Sequence, residues 1–170
     1  MSRPDRSTPG DELVDHLAED GTVLGTVTRR MMRQANLLHR TVFVVVTGGT
    51  RLLAHQRAPW KDVWPSYWDL AFGGVVGAGE EWATAAAREL AEEAGIDAPL
   101  GHLGEARYED DRVREIARVY AVSSIGPFTF PDGEVVDSAW VERDQLDNWV
   151  AGRSVCPDSA AIVPQLLSAD

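Results

Sequence analysis

The 170-residue chain is poor in cysteine, in lysine and in long apolar runs, and each shortage excludes something. Its one cysteine, Cys156, has no partner in the chain, so no internal disulfide forms and nothing points to an oxidising compartment. The longest purely apolar run, Val42 to Val46, falls far short of the roughly 20 residues that span a bilayer. The opening MSRPDRSTPG lacks the apolar stretch of a secretory signal, so a cytoplasmic location is expected. Cations are scarce: 16 Lys and Arg stand against 27 Asp and Glu, a net charge of −11, and Lys61 is the only lysine. That balance lacks the basic face needed to bind a nucleic-acid polymer or an anionic membrane.

What is present is ordinary globular composition, 44% hydrophobic and 25% charged. The length suits one domain able to bury its own core. The expected organisation is a flexible Pro/Ser/Arg-rich segment over 1–10 and a single domain over 11–170. Charge is unevenly spread. Residues 1–73 carry eight acids and nine bases, residues 74–97 six and one, and residues 98–170 thirteen and six. The middle window holds almost half of the excess. Spacing decides whether it is more than a solvated helix face.

Residues 12–17 and 23–28 flank a Glu-Asp-Gly turn and predict a hairpin. Thr28 can cap a short helix over 29–36. The β-branched run 41–47 and the run 52–57 predict strands about Gly48-Gly49. Pro59 and Pro65 bracket a loop whose tryptophans, Trp60, Trp64 and Trp68, suggest packing. The strongest helix is 81–94, with Trp82, Ala86, Leu90 and Ala94 as its buried stripe and Gly95 ending it. Strands follow over 103–108, 113–122 and 135–141, then helices over 143–151 and 159–167. Such interleaving, without a regular βαβ period, predicts an α/β fold with a mixed sheet and helices on both faces.

At 100° per residue, Glu89, Glu92 and Glu93 fall within about a 100° arc of the strongest helix. Acidic pairs at that spacing cost a few tenths of a kcal/mol each, which folding alone leaves unexplained. A hard divalent cation with oxygen ligands explains it. Arg88 stands four residues before Glu92 and can pair with it. Read from Gly74, the chain runs five residues to Glu80, seven more to Arg88, then Glu89-Leu90-Ala91-Glu92-Glu93-Ala94-Gly95-Ile96. This run resembles the signature of the Nudix hydrolase family, G-x5-E-x7-R-E-U-x-E-E-x-G-U with U aliphatic, at every specified position.

The resemblance implies a Nudix α-β-α sandwich and a pyrophosphohydrolase that cleaves a nucleoside diphosphate-type X-diphosphate by water attack on phosphorus. It implies Mg²⁺, with Mn²⁺ as a substitute, held by Glu89, Glu92 and Glu93 beside the backbone of Gly73 and Gly74, where the chain must either approach the metal or turn tightly. Arg88 would hold a carboxylate in ligand orientation, and Glu80 would be structural or a peripheral ligand. Family members differ over the base: either one of Glu89, Glu92 and Glu93 also orients or deprotonates the water, or the base lies on a later loop, where Glu115 and Glu134 are the candidates, each weighed against a plain surface role. Upstream, Gln56-Arg57-Ala58-Pro59-Trp60-Lys61 and Trp64-Pro65-Ser66-Tyr67-Trp68-Asp69 are similar to the family's lead-in. By that similarity Arg57 and Lys61 reach substrate phosphates, with a solvated loop cation as the plainer reading of Lys61. Homodimers are common among relatives.

The N-terminal half, especially Leu37-Leu38-His39-Arg40 before the run 41–47, is similar to the narrower branch that includes isopentenyl-diphosphate isomerase, and with the signature and the lead-in the resemblance covers roughly residues 12–145. That enzyme needs a cysteine where this chain has Gly73, and histidines where it has Val75 and Met32. Only His39 and Glu115 survive from that set. Proton transfer to an alkene needs an acid at the carbon, so a hydrolase on an isomerase-like scaffold is expected. An isomerase relative and a non-catalytic ligand sensor are the alternatives. The group X stays open; Trp60, Trp64, Tyr67 and Trp82 are candidates for a base-stacking platform, against a core role.

Overall fold

A computed structural model describes residues 9–168. A 3-10 turn, Pro9–Asp11, precedes a hairpin of β1 (Leu13–Leu17) and β2 (Val23–Thr28). Pro9 and Gly10 are therefore ordered within a turn; the rest of the segment expected to be flexible lies outside the described residues. The Thr28 hydroxyl accepts from the Met31 amide at 3.2 Å and caps α1 (Arg29–Gln34), satisfying an amide that the helix cannot.

Then follow β3 (His39–Gly48), β4 (Arg51–Arg57), β5 (Trp68–Asp69), β6 (Phe72–Val75), α2 (Trp82–Ala94), β7 (Gly101–Glu109), β8 (Arg114–Ser123), β9 (Val135–Glu142), α3 (Leu146–Ala151) and α4 (Pro157–Leu167). The sheet is mixed. β3 runs parallel to β8, and the remaining pairs, β3 with β4 and β6, β4 with β5 and β9, and β7 with β8, are antiparallel. β6 has no counterpart in the sequence reading, because Phe-Gly-Gly-Val carries little strand propensity. Gly73 and Gly74 thus lie on a strand, paired with Phe43 and Val42, and not in a turn.

The continuous apolar run of β3 reflects burial on both faces. Val42, Val44 and Val46 face the cluster that includes Ala86, Leu90 and Ala94 of α2. Phe43 and Val45 face the cluster that includes Leu146 of α3 and Ile162 and Val163 of α4. Among the described residues, no helix is long and apolar enough to cross a membrane. Gly95, in the left-handed conformation at φ +68°, ends α2. The chain between β8 and β9 then docks on that end: the Thr129 amide donates to the Ala94 carbonyl and the Asp132 amide to the Glu92 carbonyl, both at 3.3 Å. This docking satisfies last-turn carbonyls and brings acidic residues of a distant segment beside α2.

Candidate active site

Two carboxylates of α2 lie over the two glycines of β6. Glu93 Oε2 accepts from the Gly73 amide at 3.0 Å. A Cβ on Gly74 would fall 2.7 Å from Glu89 Oε1, and one on Gly73 would fall 1.9 Å from the Val42 carbonyl oxygen. Close approach, not turn geometry, is what requires glycine at both positions. Glu89 and Glu93 are buried, whereas Glu92 is exposed at the rim. Burial pushes the Glu89 carboxyl up to about 7, against the pull of Arg88. Burial, and then the Glu89 charge, push Glu93 well above the carboxylate range. Both carboxyls therefore resist ionisation while no cation lies beside them.

Arg88 organises the outer half. Its Nε and Nη2 donate to Glu80 Oε2 and Oε1, both at 2.9 Å; its Nη1 donates to Glu89 Oε1 at 2.8 Å and to Glu92 Oε2 at 3.3 Å. The expected pairing with Glu92 is present but is the longest of the four. Glu80 Oε1 also accepts from the Gly77 amide at 3.0 Å, so both Glu80 oxygens are engaged in holding the loop and Arg88. Arg40 grips that loop from β3. It donates to the Glu80 carbonyl at 2.8 Å, to the Gly77 carbonyl at 3.0 Å and to Asp15 Oδ2 at 2.8 Å.

The docked loop supplies the inner half. One oxygen each of Glu93, Asp132 and Glu134 lie within 4.8 Å of one another, a spacing that can hold a metal ion. Glu134 Oε2 lies 2.5 Å from Lys61 Nζ, and the Lys61 side chain is only 10% exposed, so Lys61 is not a solvated loop cation. Sequence reasoning named Glu134 and missed Asp132. The available signal was the acidic pair flanking Gly133, whose meaning depends on where the loop docks.

Arg57 and Glu115 lie elsewhere. Both line a small chamber of about 60 Å³ together with Thr41, Asp69 and Asp158. Arg57 donates to the Val63 carbonyl at 3.0 Å and to Asp69 Oδ2 at 3.5 Å. Glu115 is buried, one of its oxygens lacks a hydrogen bond, and burial pushes its carboxyl up to about 7. Arg29, Lys61, Gly73 and Gly74 line both this chamber and the cleft of Arg88, Glu89, Glu92 and Glu93, so the two adjoin.

His39 is buried and neutral: burial lowers it to about 3, and its Nδ1 lies 2.9 Å from the Leu37 carbonyl. Met32 and Val75 pack together in an apolar cluster. Cys156 is buried against Val63, Trp64 and Val113, where burial raises its thiol, and Gly73 has no acid to offer. The tryptophans divide. Trp64 is buried, Trp68 meets Trp149 edge-on at 5.3 Å, and Trp60 is 62% exposed. The guanidinium groups of Arg40 and Arg118 lie 5.1 and 4.5 Å from the Trp82 ring.

Comparison with known proteins points the same way. Residues 37–159 match the family model described as the NUDIX domain. An uncharacterized Nudix hydrolase of Pseudomonas aeruginosa, PA4841, is 32% identical over 156 residues, covering 91% of this chain and 92% of its own. The uncharacterized Nudix hydrolase YfcD of Escherichia coli K12 is 32% identical over 143 residues, covering 83% and 79%. Among solved structures, DR0079 of Deinococcus radiodurans superposes with a TM-score of 0.79 at 23% identity, covering 91% of this chain and 99% of its own. The NUDIX domain of Shewanella oneidensis NrtR, solved with ADP ribose, gives 0.61 at 19% identity, covering 79% and 87%.

Proposed function

The chain belongs to the Nudix hydrolase family, and on that footing we propose that it hydrolyses the diphosphate bond of a nucleoside diphosphate-type substrate, X-diphosphate, with Mg²⁺ held by Glu89, Glu92 and Glu93. The observation that carries the reading is the burial of Glu89 and Glu93 side by side over two bare glycines. Such a pair resists ionisation until a cation arrives. The donor set fits Mg²⁺, since every side chain offered is a carboxylate and Mg²⁺ prefers oxygen. When bound, the metal withdraws charge from phosphorus and lowers the pKa of a coordinated water.

The chain's own residues do the rest. Arg88, fixed by two bonds to Glu80, holds Glu89 in the orientation that the site needs. The Gly73 amide does the same for Glu93, and the backbone of Gly73 and Gly74 leaves the space beside the carboxylates free of side chains. Lys61, lining the cleft, supplies positive charge to the phosphates, and Arg57 adds to it from the adjoining chamber. Glu134, held by Lys61 next to Glu93, is the loop carboxylate placed to take a proton from the attacking water. Glu115 is set back in the chamber. Gly73 and the buried Cys156 leave the isomerase reading without its acid.

The test is a panel of nucleoside diphosphates, sugar nucleotides and isoprenyl diphosphates with Mg²⁺. Wild type should release phosphate or a nucleoside monophosphate from some member, and Glu93→Gln should abolish that release. Silence of wild type across the panel contradicts the proposal.

A further inference from the structure

The loop between β6 and α2 carries Glu80, and its backbone is held from outside the matched domain. The Val76 amide donates to the Arg40 carbonyl, and the Glu80 amide to the Gly77 carbonyl, both at 3.0 Å. The Gly77 amide donates to Glu80 Oε1 at 3.0 Å. The two remaining amides reach β1. Ala78 donates to the Leu13 carbonyl at 2.9 Å, and Gly79 donates to Asp15 Oδ2 at 3.2 Å. Gly79 stands at φ +69°, and glycine moves readily between positive and negative φ, so this turn needs a tether. Leu13 and Asp15 lie outside residues 37–159, the span of the family model.

Asp15 is 7% exposed. Its Oδ2 accepts both the Gly79 amide and, at 2.8 Å, Arg40 Nη2. Arg40 in turn donates to the Gly77 and Glu80 carbonyls. Folding alone does not call for such a pair, since a buried ion pair is often replaced by apolar packing at no loss of stability. The pair is instead spent on the loop: all of its bonds beyond Asp15–Arg40 itself go to Gly77, Gly79 and Glu80.

The contacts continue to the metal site. Both Glu80 oxygens accept from Arg88 at 2.9 Å, and Arg88 Nη1 donates to Glu89 Oε1 at 2.8 Å. Each step from Asp15 through Arg40, Glu80 and Arg88 to Glu89 is a hydrogen bond donated by a guanidinium, the strong and directional kind. We propose that the N-terminal hairpin is part of the metal site, with Asp15 a positioning residue that acts through Arg40 and the 77–80 loop to set Arg88, and so Glu89, for Mg²⁺.

This proposal rests on the Mg²⁺ reading of Glu89, and the experiment separates the two. Mg²⁺ affinity is measured by calorimetry. The Arg88 Nε–H resonance, assigned by its absence in Arg88→Lys, is followed by NMR in metal-free protein. Asp15→Asn keeps an acceptor for Gly79 and removes the charge; Arg40→Lys keeps the charge and removes the fork. Each should weaken Mg²⁺ binding about tenfold, the lower end of what supporting residues contribute to metal sites, and should shift or broaden the Arg88 resonance. Val27→Ala is the control. It opposes Val14 in the hairpin and takes no part in the loop contacts, so it should lower stability and leave both readouts at wild-type values.

Wild-type Mg²⁺ affinity in both Asp15→Asn and Arg40→Lys, an Arg88 resonance that ignores them, or an equal loss of affinity in Val27→Ala overturns the proposal. A wild type that binds no Mg²⁺, with an Arg88 resonance that still follows Asp15, defeats the metal reading and leaves Asp15 positioning Arg88. Mg²⁺ binding indifferent to Asp15 does the reverse.

Discussion

A Cβ at position 74 would lie 2.7 Å from Glu89 Oε1, so the identity of a strand residue sets the position of a helix carboxylate. Gly74→Ala must push Glu89 Oε1 away from β6, and this is the same oxygen that Arg88 Nη1 holds at 2.8 Å. We expect turnover to fall about tenfold or more, and the Mg²⁺ concentration at half-maximal rate to rise. A magnesium titration of initial rates checks this; an unchanged half-saturation point would show that Glu89 has room to move.

Arg88 engages Glu80 through two nitrogens and Glu89 through a third. A lysine ammonium cannot span that geometry. Arg88→Lys should keep the charge yet raise the magnesium requirement and cost about 1–2 kcal/mol of stability, the order of a lost charge-assisted hydrogen bond. Chemical denaturation with and without Mg²⁺ measures both effects. A variant with wild-type magnesium response would make Arg88 an ordinary ion-pair partner.

Lys61 offsets repulsion among Glu93, Asp132 and Glu134. Without it, that group depends more on an added cation. Lys61→Met should therefore lower the melting temperature in chelator and enlarge the rise produced by Mg²⁺. Thermal scans of the variant decide the point, and a smaller rise than wild type would contradict the placement of Lys61.

Glu115 gives a pH prediction with a definite sign. Its folded pKa is raised from 4.5 to about 7, so between those values the folded state holds a proton that the unfolded state has lost. Stability from this group is present at low pH and is lost as pH rises through 7. Glu89 acts in the same direction in metal-free protein. His39 and His55, lowered to about 3 and about 4 by burial, act oppositely below pH 6.5. In chelator the protein should melt higher at pH 6 than at pH 8. Glu115→Gln should flatten that slope by several degrees. A slope unaltered by the substitution would remove Glu115 from the account.

Legibility in the sequence followed locality. Glu89, Glu92 and Glu93 could be read because helical periodicity is a local property, and their helix, its Gly95 stop and the alternating faces of β3 follow from the same rule. Asp132 could not be placed, since it joins Glu93 only after its loop docks on the carbonyls of Glu92 and Ala94. The same docking turns Lys61 from a loop cation into a buried partner of Glu134. β6 was invisible because its glycines are selected for close approach and not for strand propensity. The aromatic candidates were all visible, but which indole keeps a free face depends on Arg40 and Arg118, distant in sequence from Trp82.

The central claim is that the buried carboxylates of α2 form a metal site, and the magnesium-dependent shift in melting temperature at pH 8 tests it most directly. A ligand that binds the folded state alone must stabilise it. Wild type should melt several degrees higher with millimolar Mg²⁺ than in chelator. Glu93→Gln, with no carboxyl that must take up a proton on folding at this pH, should melt higher than wild type in chelator and gain little from the metal. A wild-type protein whose melting temperature ignores Mg²⁺, or a Glu93→Gln variant that gains as much as wild type, would contradict the account.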